Sequence, residues 1–180
     1  VRKTLSVLLA LVICVTSVGC KPEVYKTIET AEQVVSAAQQ ILSTSNPEAG
    51  AILVQVGSGL STLDALLHQY DQSVAAGKPG IATQIQAVAN TITANLSTVL
   101  SVVKVKNPEL IEYITTAVAI ANSVINVVIA NLPTTSTAPA MARADGTVGG
   151  ALPTVPFKNH KDLKKIWNDK IGGAFPKAKV

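Results

Sequence analysis

Aromatic side chains are nearly missing from this chain, which has three Tyr, two Phe and one Trp in 180 residues. Any interior must therefore be built from Val, Ile, Leu and Ala, within a hydrophobic fraction of 48%. Cysteine is as scarce. Cys14 falls in an apolar N-terminal run that reads as a removable leader, so Cys20 is the single thiol of the mature chain and an intrachain disulfide is excluded. Histidine is limited to His68 and His160. A di-metal carboxylate bundle needs Glu-x-x-His on facing helices plus inward Glu. The chain has no such pair, and no metal, haem or other cofactor is expected.

Acidic residues are few in the C-terminal quarter and basic ones in the middle, which makes the net charge of +4 a poor guide to partners. Residues 1 to 20 carry +2, residues 21 to 132 carry five Lys against eight acids, and residues 133 to 180 carry eight basic against three acidic side chains. The basic character belongs to the tail. Nothing in this distribution makes the main body a nucleic-acid binder.

A catalytic signature is also lacking. Gly57-Ser58-Gly59-Leu60-Ser61 fits neither Gly-x-Ser-x-Gly nor a phosphate-binding loop, and small residues inside a helix more often allow a close helix contact. Asp64, His68 and Asp71 share one helical face at i, i+4 and i+7, where two carboxylates could raise the basicity of an imidazole or hold a metal weakly. Solvated charge pairs account for the same spacing. Glu29 with Glu32, and Glu109 with Glu112, read as surface acids. No nucleophile, base and orienting group come together, so no enzyme activity is expected.

What is present begins with Val1-Arg2-Lys3 and the uncharged run from Thr4 to Gly19, which have the charged and apolar regions of a secretory signal. The run is short for a membrane span of about 20 residues. Ser17-Val18-Gly19-Cys20 resembles the lipobox of bacterial lipoprotein precursors, with Ser17 standing where that family has a large aliphatic residue. The resemblance covers residues 1 to 20 only. It implies a signal peptide over 1 to 19, lipidation of Cys20, and attachment to the cell envelope, at the outer membrane where the host has one, since Lys21 is not the Asp that retains enterobacterial lipoproteins inside. Ser17 and Gly19 also satisfy the small-x-small rule for plain secretion by cleavage at the same bond.

From Val24 onward apolar residues recur at steps of three and four, the stripe of a helix facing a core. Four stripes predict helices over about 23–44, 47–76, 79–104 and 108–132. They run Val24 to Leu42, Leu53 to Val74, Ile81 to Val103 and Ile111 to Leu132. Asn46-Pro47-Glu48 and Asn107-Pro108-Glu109 each offer an Asn cap, a Pro in the first turn and an acid near the positive helix end. Gly77-Lys78-Pro79-Gly80 supplies a stop and a restart. Short connections favour an all-α, up-down-up-down four-helix bundle over residues 20–132.

Residues Pro79 to Val103 and Tyr113 to Ala142 carry no charge, so a membrane-inserted or membrane-perturbing alternative arises. Asn122, Asn126 and Asn131 in the fourth segment, and Gln84, Gln86, Asn90 and Asn95 in the third, favour the outward face of a soluble bundle instead.

Residues 133–156, rich in Thr, Ala, Pro and Gly, read as a flexible linker. The basic tail, 157–180, holds a short amphipathic helix from Asn159 to Ile171, ended by Gly172-Gly173. Its Lys161, Lys164, Lys165, Trp167 and Lys170 are the candidate contacts with a partner or a membrane. Three fates of this helix stay open: docking on the acidic bundle as a brace, contact with anionic lipid or an envelope polymer, or capture of a protein. The function expected is a non-enzymatic, envelope-anchored structural or partner-binding module. A carrier or sensor of an apolar ligand held between the helices is the alternative.

Overall fold

The computed structural model describes residues 22–132, 152–171 and 174–180, apart from the side chains at 105 and 108. The expected signal segment with Cys20, the greater part of the expected linker and the expected stop at Gly172-Gly173 lie outside the described residues. Among those described the fold is all-helical. Its α-helices are α1 (Pro22–Ser45), α2 (Pro47–Gln72), α3 (Lys78–Lys106), α4 (Ile111–Asn131) and α5 (His160–Ile171), with single 3₁₀ turns at Pro108–Leu110 and Pro176–Ala178.

Each helix buries the stripe that its sequence carries. Val24, Ile28, Ala31, Val35, Ala38 and Leu42 of α1 meet Leu53, Val56, Leu60, Leu63 and Leu67 of α2, and Ile85, Ile92, Leu96 and Val99 of α3, in one aliphatic core. α1 packs on α2 and α4, α2 on α3, and α3 on α4, while α5 lies against α1 and α4. α1 therefore has more than one stripe to bury. Thr27 and Thr30 sit in its buried surface because their hydroxyls donate back to the Val24 and Lys26 carbonyls at 2.6 and 2.8 Å.

The two Asn-Pro-Glu turns meet at one end of the molecule. Asn46 accepts from the Ala49 N–H at 3.1 Å, so it caps α2, and its Nδ2 donates to Asn107 Oδ1 at 2.7 Å. Asn107 does not repeat the cap. Its N–H ends α3 on the Val103 carbonyl, its Oδ1 is occupied by Asn46, and the chain makes a 3₁₀ turn before α4 starts with no side-chain cap.

The stripe of α2 ends earlier than its periodicity suggests. The helix stops at Gln72, with the Ser73 N–H on the Tyr70 carbonyl, which leaves Val74 in the connection to α3 and 78% exposed.

The largest departure concerns the tail. Residues 152–156, expected in a flexible linker, run as an extended strap across α4. Asn122 Nδ2 donates to the carbonyls of Leu152 and Pro153 at 3.4 and 3.2 Å, and the Val155 N–H donates to Ser123 Oγ at 2.8 Å. Asn122 is thus buried under the strap, not displayed on an outer face; Asn126 and Asn131 are exposed. With α1, α3, α5 and the strap around it, α4 is buried without a break from Ala117 to Ile125. By length and composition α2 and α4 are apolar enough to cross a membrane, yet 61% of the apolar window of α4 is buried inside the protein. Packing on several sides explains its hydropathy.

Candidate functional site

α5 is placed by its apolar face and by both of its ends. Leu163, Trp167 and Ile171 are fully buried. Asn159 caps the helix by accepting from the Lys161 and Asp162 N–H groups at 2.9 and 3.2 Å. Glu23, in the first turn of α1, accepts from the His160 N–H at 2.8 Å and lies 2.6 Å from His160 Nδ1. The hydrogen bond from the His160 backbone, then that from its ring, holds the Glu23 carboxyl below the usual carboxylate range. At the far end Lys170 pairs with Glu112 of α4.

Trp167 also fixes the C-terminal residues. Its indole N–H donates to the Ala178 carbonyl at 2.8 Å, while Asn168 donates to Val180 O at 2.8 Å and accepts from the Val180 N–H at 3.0 Å. The terminal segment is thereby pinned beside α5. Between it and α1 runs an open groove of about 610 Å³, lined by Glu32, Gln33, Ser36 and Gln40 on one wall and by Lys164, Lys177 and Lys179 on the other.

Lys165 is bound to Asp169 at 2.5 Å, a hydrogen bond and a neighbouring charge that raise its ammonium pKa, and Lys106 and Lys170 reach Glu48 and Glu112. Among the described residues none of Lys164, Lys177 and Lys179 comes within ion-pair distance of a carboxylate. Glu32 is the one side-chain carboxylate of the groove lining, and its pKa is raised, first by burial and then by the charges of Asp64 and Glu29. The groove can therefore offer three ammonium groups and a row of amide and hydroxyl side chains to an anionic segment.

Of the tail residues singled out by sequence, Lys164 lies in the groove, Lys161 and Lys165 are exposed, and Lys170 is tied to α4. Trp167 is corrected: it is 0% exposed and anchors the wall from behind, because the apolar face of α5 has a core to enter. Sequence reasoning missed Lys177, Lys179 and the pairing of Asn168 with Val180. Lysines at alternate positions after a Pro, as in Pro176-Lys177-Ala178-Lys179, were the available signal.

The Asp64, His68, Asp71 face gains a fourth member from α1. His68 Nε2 is 3.6 Å from Asp64, but Tyr25 stacks on the imidazole at 4.1 Å between centroids and gives its hydroxyl to Asp71 at 2.5 Å. Asp71 is thus engaged by Tyr25, and the two carboxylates do not clamp the ring together. Among the described residues no three His, Cys, Asp or Glu side chains converge as a metal site. Comparison with protein-family models, curated proteins and solved structures returns no match for this chain.

Proposed function

We propose that this chain is an exported envelope lipoprotein, anchored at Cys20, whose helical body holds an anionic segment of an envelope protein or polymer in the groove between α1 and the C-terminal tail. The single observation that carries the binding part is the lysine wall: Lys164, Lys177 and Lys179, without an ion-pair partner among the described residues, with the terminal backbone held by Trp167 and Asn168. The leader resemblance ending at Cys20 supports the location. The neighbour-by-neighbour packing of α1 to α4, closed by α1 on α4, supports an antiparallel, up-down-up-down four-helix bundle as the body. The role is a non-enzymatic one.

Two measurements test it. Intact mass of the protein extracted from membranes reports cleavage and acylation together, and an unmodified, uncleaved mass removes the anchor. Titration of a fluorescent poly-glutamate peptide into the full chain should give saturable, salt-sensitive binding. The combined Lys164→Gln, Lys177→Gln and Lys179→Gln variant should lose roughly tenfold or more in affinity, since three charge-assisted contacts disappear. Equal affinities would remove the groove from the proposal.

A further inference from the structure

One end of the helical body collects basic and apolar groups that neither the core nor the groove uses. Three contacts define it. Tyr25 donates to Asp71, Lys78 Nζ stands 4.8 Å over the Tyr70 ring, and Glu23 holds His160. They bring the start of α1, the end of α2, the start of α3 and the start of α5 to the same place. At its tip is the α2–α3 connection, where Val74 is 78% exposed and Ala75 and Ala76 are exposed beside it. The same end of the molecule carries Lys26, Lys158 and Lys161, all exposed, and Lys78, half-buried.

The carboxylates at this end are already engaged. Glu23 is held by His160, Asp71 accepts from Tyr25, and Asp162 accepts from the Lys158 N–H at 2.9 Å. None of the four lysines makes an ion pair among the described residues. The result is a small apolar tip at an end that carries four lysines beside the three hydrogen-bonded carboxylates.

We infer that this end is a membrane-facing surface, with Val74 entering the headgroup boundary and Lys26, Lys78, Lys158 and Lys161 on anionic lipid headgroups. The inference rests on the lipid-anchored reading above. Cys20 precedes the first residue of α1 by two positions, so an acyl chain there tethers this end, with no spacer to hold it away. Lipid is the occupant that the chemistry fits: cations match headgroup phosphates, and a loop tip of Val and Ala needs only shallow insertion. At 1.5 Å per residue, the α1 wall of the groove lies about 15 to 27 Å further along the helix from Pro22. That exceeds the Debye length of about 8 Å, so the α1 wall of the groove lies outside the headgroup field.

The test uses the full, membrane-extracted protein reconstituted into phosphatidylglycerol vesicles with brominated acyl chains. Wild type is compared with Val74→Trp and with Val54→Trp, a control because Val54 is 52% exposed toward the opposite end of α2. The added emission of Val74→Trp should fall roughly twofold on reconstitution, as for a group about 5 to 10 Å into the headgroup boundary. That of Val54→Trp should not change. Joint replacement of Lys26, Lys78, Lys158 and Lys161 by Gln should remove the quenching.

Equal quenching of both added tryptophans, or of neither, overturns the inference. Intact mass of the same preparation separates this failure from that of the anchor. An acylated mass with unquenched Val74→Trp leaves the anchor standing and sinks the docked end. Where no acyl mass is found, sedimentation of the full chain with anionic vesicles decides: lysine-dependent sedimentation supports the surface, and none overturns it.

Discussion

Gly57 and Gly59 stand two positions apart in α2, and the sequence offers no way to rank them. Their surroundings differ sharply. A Cβ on Gly57 would meet Val35 Cγ1 at 3.9 Å, an ordinary contact, whereas one on Gly59 would meet Ile92 Cγ1 at 2.7 Å. Ile92 is buried and β-branched, so it has little room to yield. Gly57→Ala should therefore stabilise by up to about 1 kcal/mol, the helix-propensity difference. Gly59→Ala gains the same propensity but overpacks the α2–α3 contact at about 1 to 3 kcal/mol, and should come out neutral to destabilising. Urea midpoints of the two variants, with Gly57→Ala above wild type and Gly59→Ala at or below it, check the pair. Trp167 teaches the converse at this scale: the sequence left docking, lipid contact and partner capture open for its helix, and the packing of α5 on α1 and α4 places it in the core. A short amphipathic helix has the same pattern whether its apolar face meets lipid, a partner or its own chain.

At the scale of elements, periodicity located the helices because each buries a continuous stripe, and it failed where burial comes from something non-periodic. The strap over α4 is the clearest case. Residues 152–156 have no apolar rhythm, and their hold on Asn122 and Ser123 joins positions about thirty apart in the chain. The two Asn-Pro-Glu turns were legible as turns, but their division of labour was not, since it depends on a side-chain contact between them. Asn46 is buried, caps α2 and donates to Asn107, whereas Asn107 is half-exposed and caps no helix with its side chain. Asn46→Ala should cost about 1 to 2 kcal/mol for the lost cap, with a further loss for the abandoned Asn107 contact. Asn107→Ala should cost about 1 kcal/mol. Chemical denaturation of both single variants and of the double variant checks this, because a shared contact makes the double less harmful than the sum. Additive losses would mean that the two turns do not support each other.

For the whole molecule, two carboxylates set opposite pH dependences at the joint between the helical body and its tail. Glu32 has a raised pKa, from burial and the nearby charges of Asp64 and Glu29. In the folded state it takes up its proton above the ordinary value of 4.5, so the chain gains stability as pH falls from neutral toward that value, and no more below it. Glu23 has a lowered pKa through its bonds with His160. Its contribution is complete above 4.5 and is lost as pH falls from there through its folded pKa. The two effects therefore meet near pH 4.5, where the pair contributes most. Glu32→Gln should raise stability at pH 7 by less than about 1 kcal/mol, as suits a partly exposed charge interaction, and the difference from wild type should shrink toward pH 4.5. Glu23→Gln should be less stable than wild type at pH 7, and that difference should shrink only below pH 4.5. Trp167 is the single tryptophan of the chain and is buried under the tail, so its emission reports whether α5 is still docked. If Glu23 holds the start of α5, the acid-induced red shift of wild type should appear in Glu23→Gln at higher pH or lower urea. Superimposed red-shift curves would mean that the apolar face of α5, and not its link to α1, holds the tail in place.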